Sequence, residues 1–450
     1  MKKFLILLVI LIVLNGCAVS SKRKTDALKI YVSGLLLEKD DKENEEAIKK
    51  FKETIKVGGE DAYLYVKIAE NYLKRKEFIK ARENYQKALN INPSLPDAYF
   101  GLGVTYLFEK KYKDASRTFE KGLKLEPKKD SFRLLLCEIY SNYLKDYKSA
   151  EKHYKILLED YPSNYLLHYN LAKIYELQNK YKESEMEYLE SIKILPDFWQ
   201  AYLSLGMLYQ KQGKIEEAKK FYEKSIEINP LDKISYSLLA TIYYSEKNDD
   251  KVKELLTKAI ETGLKEKEFF DFLGSLYFEE KNYQMAEKYF IESINIKDSS
   301  LTRFKLGVLY DKIGNFEKME ENLKKAIELD SENSLALNYL GYTYLLKDKN
   351  IKEAYEMIKK ACKIEPNNGA YLDSLGWAYY KMGDYKKAKI YLEKAVKLEE
   401  DPEIYEHLGY LYYQLKDYFK SLYYFIKAYE KLNKKEIAEK IEELKNLIKK

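Results

Sequence analysis

A tyrosine returns along this chain at Tyr72, Tyr106, Tyr140, Tyr175, Tyr209, Tyr243, Tyr277, Tyr310, Tyr344, Tyr379 and Tyr412, at spacings between 33 and 35 residues. A period this long and this regular means one supersecondary unit per period, each burying its apolar face against the next. The unit is clearest between Trp199 and Pro230. Tyr202, Leu205, Gly206 and Tyr209 fall at i, i+3, i+4 and i+7, and Ala218, Tyr222, Ser225 and Ile226 share the spacing. Gly213 closes the first helix and Pro230 cannot continue the second, so the spacing predicts a helical hairpin.

Two further positions keep the same period. Three residues before each tyrosine stands a small residue, which lets two helices approach closely: Ala69, Gly103, Cys137, Ala172, Gly206, Ala240, Gly274, Gly307, Gly341, Gly376 and Gly409. The second-helix position reads Ala81, Ala115, Ala150, Ser184, Ala218, Val252, Ala286, Met319, Ala354, Ala388 and Ser421, and the units of Val252 and Met319 are expected to pack less regularly. The LG pair, the tyrosine three residues on, the later alanine and a closing proline resemble the tetratricopeptide repeat (TPR). The resemblance implies an all-α fold, a right-handed α-solenoid of stacked helical hairpins. Eleven repeats are expected over residues 62–432, after a degenerate N-terminal capping repeat over 27–61. A C-terminal capping helix is expected over 433–450, N-capped by Asn433, with Ile437, Ile441, Leu444 and Ile448 on one stripe.

The N-terminus reads differently. Residues 1–16 are a basic pair and an apolar run from Phe4 to Leu14, too short to span a bilayer. Leu14-Asn15-Gly16-Cys17 resembles the lipobox of bacterial lipoproteins, in which the cysteine is acylated, with palmitate among the usual chains, and becomes the new N-terminus. An uncleaved anchor would leave Cys17 unexplained. Ala18 stands where an Asp would resemble an inner-membrane retention signal, so an outer-membrane protein facing the periplasm is expected. Residues 17–26, polar and without helical period, read as a lipidated tether.

Charge and composition narrow the function. Charged residues make up 34% of the chain and no Gly/Ser-rich linker divides it, as suits one helix-rich array. A formal net charge of +6 over 450 residues is too even to argue for nucleic acid. His153, His168 and His407 fall in different repeats, with no ligand set, no nucleophile and base pair and no Gly-rich phosphate loop. Neither catalysis nor a metal, a cofactor or a small-molecule substrate is expected. Cys137 and Cys362 read as separate buried thiols.

Function is therefore expected on the surface that stacking creates. In the repeat family, residues one beyond the small position, and three further along, face the concave groove. In this chain these include Glu138, Ser141 and Lys173 centrally, and Tyr342, Trp377, Tyr380, Tyr410 and Tyr413 toward the C-terminus. With Asn338, Tyr339, Asp373 and Glu406 beside them, the last group has the aromatic composition of a binding hot spot, or alternatively finishes the packing of adjacent helices. The Lys/Asn/Arg clamp by which such repeats hold chaperone C-termini has no match at these places. Asn338–Tyr342 and Gly369–Trp377 resemble a pair of repeats in large outer-membrane TPR lipoproteins of proteobacteria, one group of which acts as an adaptor for a periplasmic carboxyl-terminal processing protease. The expected function is a membrane-anchored periplasmic scaffold or adaptor for partner protein segments. An assembly lipoprotein for a pilus, secretion or polysaccharide-export machine, or a glycan-binding envelope protein, are the alternatives.

Overall fold

The structure is a computed structural model that describes residues 21–38 and 43–449. The expected signal segment and Cys17 lie outside these residues. The described residues form helices joined by short turns, with no strand among them. They group into two compact units, one ending at Asn229 and one beginning at Pro230.

The first unit contains six hairpins: α1 (Ser21–Leu37) with α2 (Asn44–Gly58), α3 (Ala62–Lys74) with α4 (Phe78–Ile91), and α5 (Pro96–Phe108) with α6 (Tyr112–Leu125). Then come α7 (Asp130–Glu138) with α8 (Tyr147–Asp160), α9 (Tyr165–Leu177) with α10 (Tyr181–Ile194), and α11 (Trp199–Lys211) with α12 (Ile215–Ile228). The second unit also has six: α13 (Lys233–Ser245) with α14 (Asp249–Glu261), α15 (Lys267–Glu279) with α16 (Tyr283–Ile296), and α17 (Ser300–Lys312) with α18 (Phe316–Leu329). It continues with α19 (Ser334–Leu346) and α20 (Ile351–Ile364), α21 (Gly369–Lys381) and α22 (Tyr385–Leu398), α23 (Pro402–Gln414) and α24 (Tyr418–Leu432), and ends in α25 (Lys435–Ile448). Each unit is thus an α-solenoid of stacked hairpins. The expected degenerate first repeat is a hairpin of the same build, in which Gly34 lies against the buried ring of Phe51. Its first helix begins at Ser21, so residues 21–26 of the segment read as a tether are helical.

Inside each hairpin the small first-helix residue faces a large second-helix side chain about one half-repeat on. A Cβ added at Gly206 would stand 2.7 Å from the Tyr222 ring, and one at Gly376 would stand 2.6 Å from Leu392. Where the small residue is Ala69, Ala172 or Cys137, the residues at the equivalent second-helix place are Tyr85, Tyr188 and Tyr154, all buried. The second-helix alanines are fully buried, and where serine replaces alanine its hydroxyl finds a partner. Ser184 donates to the Ala172 carbonyl and Ser421 to the Gly409 carbonyl, each at 2.8 Å. Val252 and Met319 are buried as completely as the alanines, so the larger side chains are accommodated at these positions.

The repeated tyrosine ends the first helix. In α3 the Glu77 N–H donates to the Tyr72 carbonyl and the Lys76 N–H to the Leu73 carbonyl, each at 2.9 Å, with Lys76 left-handed at φ 60°. This is the Schellman arrangement, which satisfies the last carbonyls of a helix. The left-handed position is Gly213, Gly314 or Gly383 in three hairpins, but lysine at Lys76, Lys110, Lys145, Lys247, Lys281 and Lys416. In two hairpins the second-helix alanine comes one residue late. Between Tyr140 and Ala150 a π-turn over Ile139–Tyr143 absorbs the extra residue, and between Tyr344 and Ala354 two left-handed residues, Asp348 and Asn350, do so.

Tyrosine hydroxyls join successive hairpins. Tyr209 donates to Glu185 at 2.7 Å, Tyr310 to Glu287 at 2.5 Å and Tyr344 to Glu320 at 2.6 Å, each on the preceding second helix. Burial raises the Glu320 carboxyl, but donors from Lys324, Tyr344 and Lys349 outweigh it and bring it to about 2. Both thiols are free and buried, and burial pushes Cys137 and Cys362 up to about 12. At the C-terminus Ile437, Ile441 and Leu444 are buried against Phe425 and Ala428, while Ile448 is half-buried. Asn433 does not cap α25. It is the left-handed residue that ends α24, and α25 is preceded by Lys434, because asparagine suits a helix end with φ near 50° as well as a helix start.

A lysine in the left-handed region is held there against its preference. Lys110→Gly is therefore expected to raise stability by about 1 kcal/mol, and Lys110→Ala to leave it nearly unchanged. Urea unfolding of the two variants checks this, and a loss on glycine substitution would place the strain elsewhere.

Candidate functional site

The aromatic residues expected in the groove come from α19, α21 and α23, the first helices of three successive hairpins in the second unit. One turn of each carries the small residue that packs inward. The positions just beside it project from the packed stripe, and there the sequence places Tyr342, Trp377 and Tyr410. The structure brings these together but not as an open surface. Trp377 is only 8% exposed. Its indole is stacked between the His407 ring, at 4.1 Å and 16°, and the Tyr380 ring, at 4.5 Å and 6°. The Lys381 ammonium lies 5.5 Å from the indole and Tyr410 is tilted at 6.1 Å.

His407 is the centre of this cluster, and sequence reasoning missed it. Its Nδ1 sits 2.9 Å from both carboxylate oxygens of Asp373, and its Nε2 lies 3.4 Å from the Tyr342 hydroxyl. Asp373 and His407 are both 5% exposed. The row Asp373, His407, Tyr342 has the order of an acid–base relay, yet its members are covered, and Trp377 closes one face of the imidazole. Its physical role is to fix rings. The carboxylate orients the imidazole, the imidazole supports the indole, and the stacked rings add about 0.5–1.5 kcal/mol per pair beyond area burial. The signal that could have revealed His407 is its separation from Asp373, one repeat length, which places the two on facing turns of adjacent first helices.

The remaining residues sit around this platform, half-buried. Tyr339 donates to Asp311 at 2.7 Å with Phe304 at its edge, 6.0 Å away. Burial raises the phenols of Tyr339, Tyr342, Tyr380 and Tyr410 above the ordinary tyrosine range. Tyr413 is raised first by donating to Glu443 of α25, and Lys440 lies 4.7 Å from its ring. Glu406 pairs with Lys434 at 2.7 Å. The Trp377 Nε1 and the Asn338 Oδ1 are buried without a partner, which costs stability. Trp377 and Asp373 are thus support, and the tyrosines are the accessible part.

The first unit carries a second feature on its first helices. A cavity of about 520 Å³ lies between α7 and α9 and includes the expected groove residues Glu138, Ser141 and Lys173. Leu134, Leu166 and Leu177 line it and are about half exposed. Among the described residues no group of three His, Cys, Asp or Glu is placed to hold a metal ion, and no helix is long and apolar enough to cross a membrane.

Sequence profiles described as tetratricopeptide repeat or TPR repeat match residues 69–107, 96–129, 143–198, 199–231, 268–299, 302–333 and 369–402, together more than half of the chain. The chain belongs to the tetratricopeptide-repeat family. Hsp70-Hsp90 organizing protein 3 of Arabidopsis thaliana is 31% identical over 87 residues, which are 19% of this chain and 16% of that protein. Among solved structures, the APC/C hetero-tetramer Cut9-Hcn1 aligns at a TM-score of 0.44 and 12% identity, over 94% of this chain and 96% of that one. Yeast Tom70 aligns at 0.35 and 16% identity over the same shares. YrrB, described as a TPR protein with an unusual peptide-binding site, aligns at 0.37 and 23% identity over 41% of this chain and 94% of its own.

Because the Trp377 indole is enclosed on both faces, Trp377→Ala is expected to destabilise the second unit by about 3–5 kcal/mol. Urea unfolding checks this, and a loss under about 1 kcal/mol would mean that the stack is not formed.

Proposed function

We propose that this TPR protein is a scaffold that holds segments of partner proteins on its first-helix faces, with the tyrosines of α19, α21 and α23 as the docking surface. The observation that carries the reading is the pairing of partly accessible tyrosines with a buried support. Tyr342, Tyr380 and Tyr410 rest on the Trp377 and His407 rings, so they are ordered before any partner arrives. Ordering in advance removes part of the entropy that binding would otherwise cost, and large rings held in place are the usual carriers of interface energy. Asn338 and Glu406 add polar groups that set the register of an incoming segment.

The lipobox-like ending at Cys17 supports a lipid anchor, with the repeats in the periplasm of an outer-membrane protein. The likeness of Asn338–Tyr342 and Gly369–Trp377 to repeats of protease-adaptor lipoproteins supports recruitment of a periplasmic protease or its substrates. On this reading the partner is a protein, and no catalysis resides in the chain.

Tyr380→Ala and Tyr413→Ala are each expected to weaken partner binding by about 2 kcal/mol, roughly thirtyfold in affinity. Helicity should stay unchanged, as read by capture from detergent-solubilised envelope beside thermal unfolding. Lost stability with undiminished capture would remove these tyrosines from the docking surface. Cys17→Ser is expected to make the protein extractable from the membrane fraction by high salt, which screens surface charge but leaves an acyl anchor in place, and a variant as resistant to salt as the parent would refute the anchor.

A further inference from the structure

The second helix α22 is the most basic of its kind, with five lysines against Glu393, and α24 in the next hairpin carries three against Glu430. Together they carry eight lysines, no arginine and two glutamates, Glu393 and Glu430. That is a net +6 on 29 residues, equal to the formal charge of the whole chain. The corresponding helix α20 has four lysines against two glutamates, and α18 three against four. Among the described residues Lys386, Lys394, Lys397 and Lys431 pair with no carboxylate, whereas Lys387 and Lys420 pair with the caps Asp384 and Asp417.

Apolar side chains stand between these charges. Phe419 is 74% exposed, Ile390 63%, Tyr423 53% and Ile426 40%. Phe419, Tyr423 and Ile426 fall at i, i+4 and i+7, and Lys386, Ile390, Lys394 and Lys397 at i, i+4, i+8 and i+11, so each helix presents one stripe. The stripes are in register across the repeat, with Ile390 and Tyr423 at equivalent places. Exposed apolar side chains set among unpaired lysines in this way suit an interaction surface.

We infer that this face binds the surface of a bilayer containing anionic phospholipid. The charge is complementary, and the pattern of lysine stems around short apolar anchors suits a headgroup layer, where lysine ammoniums meet diffuse phosphates and the rings sit at the acyl boundary. A protein partner would favour a different composition: interfaces are depleted in lysine and enriched in arginine, whose planar fork matches a carboxylate. The face lies on second helices, away from the tyrosines of α19, α21 and α23, so a first-helix partner and a bilayer would use different residues.

The test uses the full chain bearing Cys17→Ser, so that no acyl chain is present, with vesicles of phosphatidylcholine alone or with about one third phosphatidylglycerol. The triple variant Lys386→Glu, Lys394→Glu, Lys397→Glu and the double variant Phe419→Ser, Tyr423→Ser are expected to reduce the anionic-vesicle partition at least about tenfold, with unchanged circular dichroism. The triple variant Lys113→Glu, Lys121→Glu, Lys124→Glu on α6 carries the same charge change and is expected to lose far less. Unchanged partition in the first two variants, or an equal loss in the α6 variant, overturns the proposal. So does a charge reversal that leaves vesicle binding intact while abolishing binding to polyglutamate, which would assign the face to an acidic protein.

Discussion

The structure depends on one close approach, repeated in each hairpin. A residue no larger than alanine or cysteine on the first helix meets a ring or branched chain on the second, and both are buried. At Gly376 even a methyl would need Leu392 to move. This contact fixes how near the two helices lie, and the distance fixes where the next hairpin can dock. Turn chemistry then follows rather than leads. Six hairpins place a lysine in a left-handed conformation that glycine would adopt more readily, and the contact holds them there. The two single-residue insertions are likewise pushed out of the contact, one into a π-turn and one into a loop with two left-handed residues.

Between hairpins the links are more polar. At Tyr140, Tyr209, Tyr310, Tyr344 and Tyr412 the repeated tyrosine spends its ring on the hairpin core and its hydroxyl on a carboxylate of the preceding repeat. That dual use accounts for these tyrosines without invoking binding. It also sets a distinction inside the candidate site. Tyr344 and Tyr412 occupy the linking position and are buried, whereas Tyr342, Tyr380 and Tyr410 lie on neighbouring turns and are partly accessible. A stripe of one residue type therefore serves two purposes according to which side of the helix it occupies.

The hairpins and their inward faces were legible in the sequence because they follow from local period and residue size. What was not legible depended on contacts between repeats. Histidines read one at a time look isolated, but Asp373 and His407 are neighbours because stacking turns one repeat length into a side-by-side contact. The groove mapping could not tell support from surface among the residues around Trp377, since that depends on His407 and Tyr380 closing over the indole. Asn433 was misplaced for a local reason: asparagine serves at both ends of a helix, and only φ distinguishes them.

A linear stack also separates the constraints on its two helices. First helices touch the preceding and following hairpins and supply the tyrosine links, so their composition is bound by packing. The outer side of a second helix touches little, and there charge is free to differ from one repeat to the next. Net charge averages over this freedom. The small excess read for the whole chain conceals that α22 and α24 hold as much positive charge as the entire sum, while α18 is mildly acidic. In a compact fold a charge cluster can be spread by curvature. In a stack the same residue positions recur side by side, so a local bias becomes a continuous strip, and composition per helix is the level at which such a surface is visible.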